Sequence, residues 1–449
     1  MTNTTSFLNQ NHDVQNLGVN DSAVAASASS PFQIDPNWCP IPARREDRGR
    51  VKVVWLQGTP YEMGYQHGML LRDEIACLPR WFITALKLAS THLGLGQFAR
   101  RRSFQAVIDE CAGLAAATAD LGFTVESCLA IAFGDVFQQL LRDSIPMLLG
   151  YQVDLRDVLP ALELGCSQMV AAGKATVDGR LYHGDSLDCP RQPMSYWLDH
   201  PTVFVRQPHD GIPHVAIAVP GAVWPNSGLN AAGISLALNT VRPARFGELT
   251  RSGCSHVQMM AQVLKHATSY TAARSFISAQ PQMKSDLILV ADGGTQQAGV
   301  FEITGRQLTV RELDPTGVLY ATNHFVTPEM QHRGRLPTRS SQLRYQRYQQ
   351  LLEPGACHSR HGQIDAQVMV EMLRDRIHPQ TLQESPLGTY DDNLTLATNG
   401  ALRQVVFDPA RLNFWLATGN VPVPANPFVG FSLGELLELP SAIACPSLP

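Results

Sequence analysis

The spacing of apolar and polar positions predicts a helical part of the chain followed by a part rich in strands. Between residues 61 and 149, apolar residues recur every three or four positions, as in CLPRWFITALKLASTHL and ESCLAIAFGDVFQQLLRDSI, a spacing typical of amphipathic helices. A short strand is predicted just before, at residues 51–56. Thr59, Pro60 and Glu62 then predict the start of the first helix, as its N-cap, its first residue and the glutamate of a capping box.

After about residue 160 the pattern changes to strands joined by tight turns. One hairpin is predicted with its turn at Asp178-Gly179 and another with its turn at Asp210-Gly211. Further strands are predicted in GISLALNT, DLILVAD, AGVFEIT, QLTVREL and LRQVVFDPARLNFWLATG, and helices in CSHVQMMAQVLKHATSYTAARSFISA and in SSQLRYQRYQQLL, the second capped by serine. Because the strands pair in hairpins and the helices are grouped apart, the pattern predicts an antiparallel α+β fold built in layers.

The chain divides into three predicted segments. Residues 1–34 are polar and lack the charged and apolar regions of a secretory signal, so we expect a disordered tail. Residues 35–165 form a mainly helical segment, and residues 166–440 form the strand-rich segment. No apolar run approaches the roughly 18 residues of a membrane-spanning helix, so no membrane span is predicted and the cytoplasm is the expected location.

Composition and charge narrow the function classes. Hydrophobic residues make up 44% of the 449 residues and charged residues 16%, which favours a folded core over disorder. The net charge is -4 and the basic residues are scattered, so nothing indicates nucleic-acid binding. The nine cysteines are odd in number and irregularly spaced, without a CxxC pair, which predicts no metal site and fits a reducing compartment better than a disulfide scaffold. Eight are interpreted as small buried hydrophobic residues: Cys39, Cys77, Cys111, Cys128, Cys189, Cys254, Cys357 and Cys445.

The remaining cysteine, Cys166, lies where the helical part meets the strands, directly after Gly165. Glycine tolerates backbone conformations that are closed to other residues. A strained bond before a thiol favours an N-to-S acyl shift, in which the thiol attacks the carbonyl of Gly165 and water opens the resulting thioester. The second chain would then begin with Cys166.

An N-terminal Cys166 would carry both a nucleophile and its base. An α-amine has a pKa near 8, so its neutral form can accept the proton of the thiol on the same residue. The catalyst then needs an acceptor that orients the amine and donors that stabilise an oxyanion. Asp188, at the end of the partner strand, is the candidate acceptor. Asn230, in a turn before a predicted strand, and Asn323, at the end of a predicted strand, are the candidate donors.

Several of these segments together resemble the isopenicillin-N acyltransferase-like family of N-terminal-nucleophile (Ntn) hydrolases. They are GCSQMVAAGKATVDGRLYHGDSLD, GTPYEMGYQHGMLL, GLNAAGISLALN, ATNHF, SSQLRYQRYQQLL and VVFDP…FWLATG, in the family's order over residues 50 to 435. Choloylglycine hydrolases, penicillin V acylases and acid ceramidase are more distant relatives.

The resemblance implies an αββα four-layer sandwich, cleavage before Cys166, and amide hydrolysis or acyl transfer through a thioester. It places Cys166 as nucleophile, Asp188 as the amine-orienting aspartate, and Asn230 and Asn323 on the oxyanion side. The implied substrate is a small acyl-amide or acyl-thioester and no cofactor is needed. The two chains are expected to stay associated, because each buries the other's core.

Two positions depart from the family's pattern. Asp185 stands where many relatives carry an arginine or a similar donor, and an acid there would repel an anionic substrate or raise the pKa of Asp188. Relatives also carry an arginine in the helix after the Thr-Asn segment, and here either Arg339 or Arg344 can take that place, with Arg344 preferred. Both departures bear on the class of substrate.

Other interpretations stand beside these. Asp188 can simply cap a turn, and Asn230 can be a left-handed turn residue before Gly233. An unprocessed enzyme could use Cys166 with His183 as a dyad, and a protein that keeps the fold could bind ligands without catalysis. His67 is interpreted as a residue that supports the fold, between glycines that permit close helix packing.

Overall fold

The computed structural model describes residues 38–139, 165–189, 191–386 and 394–449. The predicted tail and the end of the predicted helical region, residues 140–149, lie outside this part of the chain. No helix within it is long and apolar enough to cross a membrane.

The strands of the described residues form two sheets. The larger has nine strands in the order β1-β2-β5-β6-β7-β8-β9-β10-β11, and the smaller has six in the order β12-β3-β4-β13-β14-β15. The large sheet consists of β1 (Arg44–Arg48), β2 (Val51–Gly58), β5 (Thr202–Pro208), β6 (His214–Ala218), β7 (Ser227–Asn230), β8 (Ile234–Thr240), β9 (Asp286–Asp292), β10 (Gln297–Ile303) and β11 (Leu308–Glu312). The small sheet consists of β3 (Gly165–Gly173), β4 (Gly179–Asp188), β12 (Val318–Ala321), β13 (Ala401–Asp408), β14 (Asn413–Thr418) and β15 (Val429–Ser432).

The α-helices fall into an N-terminal group before the first strand of the small sheet and a set spread through the rest of the chain. The first group is α1 (Pro60–Leu70), α2 (Arg72–Ala76), α3 (Arg80–His92), α4 (Leu95–Arg102), α5 (Gln105–Ala117), α6 (Val125–Ala132) and α7 (Gly134–Gln139). The others are α8 (Arg191–Asp199), α9 (His256–His266), α10 (Tyr270–Ala279), α11 (Pro328–Gln331), α12 (Arg339–Leu352), α13 (Ala366–Leu373) and α14 (Leu433–Leu436).

The two sheets pack face to face with helices on both outer sides. Alternate apolar residues of β5 and β13, such as Val205 and Val405, meet in one buried cluster, and Val170 of β3 meets Leu289 of β9 in another. Helices α1, α9 and α10 cover the outer face of the large sheet, while α12 and α13 cover that of the small one. The predicted α+β, four-layer αββα architecture is therefore confirmed.

The segment before Gly165 also contributes to the large sheet. Strand β2 pairs with β5 in parallel from Lys52 to Gly58, whereas the other neighbouring strands of the described sheets are antiparallel. A parallel pair needs a long crossover connection, which here contains the whole N-terminal helical group. Chain segments on the two sides of Gly165 thus share one sheet.

The start of α1 agrees with the prediction from the sequence, whereas the starts of α10 and α12 differ from it. The Thr59 hydroxyl accepts from the Glu62 backbone N–H at 3.2 Å and the Glu62 carboxylate accepts from the Thr59 N–H at 2.7 Å, so the predicted capping box is confirmed. The cap of α12 is Thr338 and not a serine. The single helix predicted from residue 254 to 279 is two helices, because the chain leaves α9 at Ala267 and Ser269 caps α10.

Two of the predicted hydrophobic cysteines form a disulfide. Cys111 of α5 and Cys128 of α6 are joined, with their Cα atoms 5.5 Å apart, so the interpretation of these two as free thiols was wrong. Cys39, Cys77 and Cys357 are exposed, which also corrects the expected burial. Disulfides are unusual in the reducing cytoplasm, so this bond opposes the cytoplasmic location, which stays a prediction.

Glycines allow α1 and α5 to approach at backbone contact. A Cβ on Gly64 would lie 2.0 Å from the carbonyl oxygen of Glu110, and one on Gly113 would lie 1.9 Å from that of Tyr61. A Cβ on Gly68 would come within 2.6 Å of the Ala117 Cβ. The predicted close packing at the glycines beside His67 is confirmed.

Substituting Gly113→Ala should lower the free energy of unfolding by about 1–3 kcal/mol, because the added methyl group forces the two helices apart. Chemical denaturation followed by circular dichroism measures this change. Gly134→Ala is the matched control, since no atom lies within 4 Å of its Cβ position. Equal stability of the two variants would contradict the close-packing argument.

Candidate active site

The register of the small sheet brings Asp188 beside the bond that precedes Cys166. In the antiparallel pair β3–β4, Gly165 lies opposite Asp188 and Cys166 lies opposite Leu187. The predicted hairpin therefore returns the aspartate to the start of β3, as expected from the sequence.

Asn323 reaches Cys166 from the neighbouring strand. Strand β12 is antiparallel to β3, with Ala321 opposite Gln168, so the residues after β12 lie at the start of β3. The Asn323 Oδ1 atom accepts the backbone N–H of Cys166 at 2.9 Å. Its Nδ2 group donates to the carbonyl oxygen of Thr240 at 2.9 Å. The Asn323 side chain therefore positions the Cys166 nitrogen by accepting its hydrogen bond, while its own amide N–H group is bonded to Thr240.

Arg344 of α12 fixes the other side of the same residue. Its Nη1 group donates to the Cys166 carbonyl oxygen at 2.6 Å and to the Ser167 hydroxyl at 2.8 Å, and Nη2 donates to Asn323 Oδ1 at 2.8 Å. The side chain is fully buried. Arg339, at the exposed start of α12, makes no such contact within the described residues, so the geometry resolves the choice between the two arginines in favour of Arg344.

The Asp188 carboxylate lies close to both Gly165 and Arg344. A Cβ on Gly165 would lie 3.4 Å from Asp188 Oδ2 and 3.4 Å from Arg344 Nη2. One carboxylate oxygen accepts from the Ser186 hydroxyl at 2.8 Å, while Oδ2 has no protein partner among the described residues. Burial raises the pKa of Asp188 to about 6, although Arg344 opposes the shift. Asp188 is therefore a stronger base than an exposed aspartate.

The backbone of Gly165 does not show the conformation that the sequence suggested. Gly165 is not among the glycines with positive φ, and it lies in ordinary strand pairing with Asp188. The expected need for a left-handed or otherwise glycine-specific backbone was therefore wrong at this position. A Cβ at this position would make only ordinary contacts with Asp188 and Arg344, at 3.4 Å, so the surroundings do not require glycine either.

The thiol of Cys166 is neutral in the intact chain. Burial raises its pKa to about 12, and the charges of Asp188 and Asp185 act in the same direction. A neutral thiol is a poor nucleophile, so a base must accept its proton before or during attack.

Asn230 does not join this group. Its Nδ2 group donates to the carbonyl oxygens of Leu264 and Ala267, and its Oδ1 atom accepts the backbone N–H groups of Ala232 and Ile234. The partners of Oδ1 lie in the turn between β7 and β8, and the partners of Nδ2 lie at the C-terminal end of α9. Asn230 is the last residue of β7 and is not among the residues with positive φ, so the alternative interpretation as a left-handed turn residue was also wrong.

Sheet geometry gives the distance between Asn230 and the group at Cys166. That group contacts Thr240 at the other end of β8, and the six-residue step from Ile234 to Thr240 spans roughly 20 Å. The expected oxyanion role of Asn230 was therefore wrong.

Asn239, and not Asn230, lies near the group at Cys166. It lies at the end of β8 nearest Asn323, and its Nδ2 group donates to the Thr322 carbonyl oxygen at 3.0 Å. Its side chain contacts that of Gln168 at 2.6 Å, and Gln168 lies on the same face of β3 as Cys166. The segment GLNAAGISLALN contains both asparagines, and Asn239 is the sixth residue of β8.

His183 is far from Cys166. It lies opposite Val170, four residues along β3, or roughly 13 Å away. Its Nδ1 atom is 3.0 Å from the Ser235 hydroxyl, and burial lowers its pKa to about 3. The geometry contradicts a Cys166–His183 dyad.

His67 has the structural role expected of it. Its Nε2 atom accepts the backbone N–H of Gly221 at 2.9 Å, and its ring packs on Phe204 with centroids 4.7 Å apart. It thereby ties α1 to the large sheet and to the loop after β6.

Replacing Arg344 with methionine should slow the predicted cleavage between Gly165 and Cys166 by about tenfold or more. A hydrogen bond from a charged group contributes about 1.5–3 kcal/mol, and this variant loses the one that fixes the Cys166 carbonyl. The fraction of cleaved chain over time on a denaturing gel measures the rate. Arg339→Met is the control and should cleave like the wild type. Normal cleavage in Arg344→Met would contradict the role assigned to Arg344.

Comparison with known proteins identifies the family. The family described as acyl-coenzyme A:6-aminopenicillanic acid acyl-transferase matches residues 194–421, just over half of the chain, in a region that begins after Cys166 and Asp188. An uncharacterized protein of Archaeoglobus fulgidus is 24% identical over 412 residues, covering 82% of this chain and 63% of that protein. Protein dcd1B of Dictyostelium discoideum is 30% identical over 169 residues, covering 37% of this chain and 33% of that protein. The chain thus spans less than two thirds of the length of these relatives.

Three solved structures show some similarity to this chain. An N-acylethanolamine-hydrolyzing acid amidase ortholog of Caenorhabditis elegans has a TM-score of 0.38 and 18% identity, covering 55% of this chain and 93% of its own. A conjugated bile acid hydrolase of Clostridium perfringens has a TM-score of 0.35 and 12% identity, covering 63% and 96%. Penicillin V acylase of Agrobacterium tumefaciens has a TM-score of 0.33 and 13% identity, covering 56% and 83%. On the family match and the motifs together, the chain belongs to the acyl-coenzyme A:6-aminopenicillanic acid acyl-transferase family.

Proposed function

We propose that this chain is an autoproteolytic cysteine enzyme of the Ntn type, which cleaves itself before Cys166 and then hydrolyses amides or transfers acyl groups. The observation that carries the proposal is the set of contacts around one residue. Asn323 binds the nitrogen of Cys166, Arg344 binds its carbonyl oxygen, and Asp188 lies opposite Gly165.

The self-cleavage step would exchange an amide for a thioester. The Cys166 sulfur attacks the carbonyl carbon of Gly165 and gives its proton to a base, for which Asp188 has an unpaired oxygen and a raised pKa. The bond to the Cys166 nitrogen breaks and that nitrogen leaves as an amine, which takes up a proton. Water then hydrolyses the thioester to give the Gly165 carboxylate and the free thiol.

The mature enzyme would repeat this chemistry on a substrate. The new α-amine of Cys166 would remain beside Asn323 Oδ1 and donate a hydrogen bond to it. This hydrogen bond would orient the amine so that the lone pair of its nitrogen lies near the Cys166 sulfur. A protonated amine next to the sulfur lowers the thiol pKa, so cleavage would both free and activate the nucleophile. Attack on an acyl-amide releases the amine and leaves a thioester on Cys166. Water completes hydrolysis, while a second amine completes acyl transfer.

The two proposed chains, one ending at Gly165 and the other beginning at Cys166, would remain together after cleavage. Strand β2 from the first pairs with β5 from the second over seven residue pairs, and α1 packs against the same sheet. Separating them would expose buried residues such as Val54 and Leu56 to water. No nucleic acid, metal or cofactor takes part in the proposed reaction.

The purified protein should run on a denaturing gel as two pieces of about 18 and 31 kDa, which divide 49.2 kDa in the ratio 165:284. Cys166→Ala should remain one full-length chain because it lacks the nucleophile. Cys254→Ala is the control, as another buried thiol outside the group, and should be cleaved normally. Mass spectrometry should find Cys166 as the N-terminus of the larger piece.

Self-cleavage should become faster as the pH rises through about 6. The pKa of Asp188 is raised above its ordinary value of 3.8, so the carboxylate is protonated below about pH 6 and cannot accept the thiol proton. The rate is measured after a pH jump of precursor held under acid conditions. Asp188→Asn should cleave slowly at every pH. A rate independent of pH from about 5 to 8 would rule out Asp188 as the base.

A further inference from the structure

A second charged pair lies near Cys166 on the same face of the small sheet. Cys166 is opposite Leu187 in β4, and Leu187 is opposite Arg403 in β13, so the three form one row across the sheet. Residues directly opposite each other in antiparallel strands point to the same face, and two strand spacings amount to about 10 Å. Asp185, two residues before Leu187, shares that face.

The pair itself is buried and only partly satisfied. Arg403 Nη2 lies 2.6 Å from Asp185 Oδ2 and also donates to the side-chain oxygen of Asn226. The Arg403 and Asp185 side chains are 3% and 1% exposed. The Nε and Nη1 groups of Arg403 have no partner among the described residues. Because leaving a buried donor unpaired is unfavourable, these N–H groups are suited to bind an oxygen atom of a bound molecule.

The net charge of the Arg403–Asp185 pair determines which kind of oxygen atom Arg403 can bind. Asp185 neutralises Arg403, so the site offers hydrogen-bond donors without a net positive charge. Asp188 adds a second carboxyl group close by, and Asp185 acts electrostatically on both Cys166 and Asp188. A carboxylate approaching Arg403 would be repelled by two acidic residues, and the two nearby arginines already face those carboxylates, Arg403 beside Asp185 and Arg344 beside Asp188, so it would gain little from either. A neutral acceptor would avoid that repulsion.

We propose that Arg403, held by Asp185 and Asn226, binds a neutral hydrogen-bond acceptor of the substrate, such as an amide carbonyl or a hydroxyl, and that Asp185 excludes carboxylates from this position. The inference deepens the proposed function, on which it rests, by naming a class of substrate. In this proposal Asp185 determines which substrates bind, although it stands where many relatives carry an arginine or a similar donor.

Two thiol reagents of nearly equal size test the proposal without a known substrate. Iodoacetamide carries a neutral amide and iodoacetate carries a carboxylate, and both alkylate cysteine. The ratio of their rates at Cys166, divided by the same ratio at the exposed Cys357 of the same molecule, gives the charge selectivity of the site. Peptide mass spectrometry measures both rates in one sample. The same spectra show whether Cys166 is an N-terminus, so a failure of self-cleavage is seen separately.

The wild type should prefer the neutral reagent by about tenfold or more after normalisation, equivalent to about 1.4 kcal/mol. Asp185→Asn keeps the shape of the side chain but removes its charge, so this preference should fall to about one or reverse. Arg403→Lys keeps the charge but loses the Nε and Nη1 donors, and it should slow the neutral reagent while still excluding iodoacetate.

Glu110→Gln is the matched control, because Glu110 is also a buried carboxylate paired with an arginine, Arg206, but on the outer side of the large sheet. It should keep the wild-type selectivity. Equal selectivity in wild type and Asp185→Asn would overturn the inference, and so would a Cys166 that neither reagent reaches. If Asp185→Asn and Glu110→Gln lose selectivity alike, the effect is structural and the inference fails.

Discussion

The arrangement of groups around Cys166 depends on the buried guanidinium of Arg344. Arg344 binds the carbonyl oxygen of Cys166 and the side-chain oxygen of Asn323, which in turn binds the nitrogen of Cys166. Both polar ends of one residue are thereby fixed by groups from a helix and from the end of a strand. Burying an arginine is less unfavourable when its donors are paired, so the network that satisfies Arg344 also fixes Cys166, the proposed nucleophile.

Burial has opposite consequences for the intact and the cleaved chain. In the intact chain it keeps the Cys166 thiol neutral and makes the Asp188 carboxylate a better base. In the proposed cleaved chain, a new amine would appear beside the sulfur, and a positive charge in a low-dielectric site has a strong effect. The same contacts would therefore serve first to position a peptide bond and then to orient an amine.

Sequence patterns were sufficient to predict the fold and part of the candidate site. The hairpin that returns Asp188 to Gly165 follows from period-two alternation around a tight turn, and the helical group follows from its spacing of three and four. These signals are local, so one sequence reveals them. The αββα layers followed from the resemblance and from the grouping of helices and strands.

Features that depend on contacts between distant segments could not be predicted. The choice of Arg344 over Arg339 depends on which turn of α12 faces β3, and the disulfide of Cys111 and Cys128 depends on the packing of α5 against α6. The resemblance and its turn context pointed to Asn230, while only the direction of β8 shows that Asn239 lies at the end that meets Asn323. Likewise, the partner of Asp185 comes from β13, more than 200 residues away in sequence.

The most direct test of the central claim is to trap the acyl group on the protein. The enzyme is mixed with an activated acyl donor such as a p-nitrophenyl ester, and the reaction is quenched in acid. Mass spectrometry then measures the mass of each chain, and peptide mapping locates the acylated residue. The account predicts one acyl group on the sulfur of a chain that begins with Cys166 and has a free α-amine. An acyl group on any other residue, or none on a chain that begins at Cys166, would contradict it.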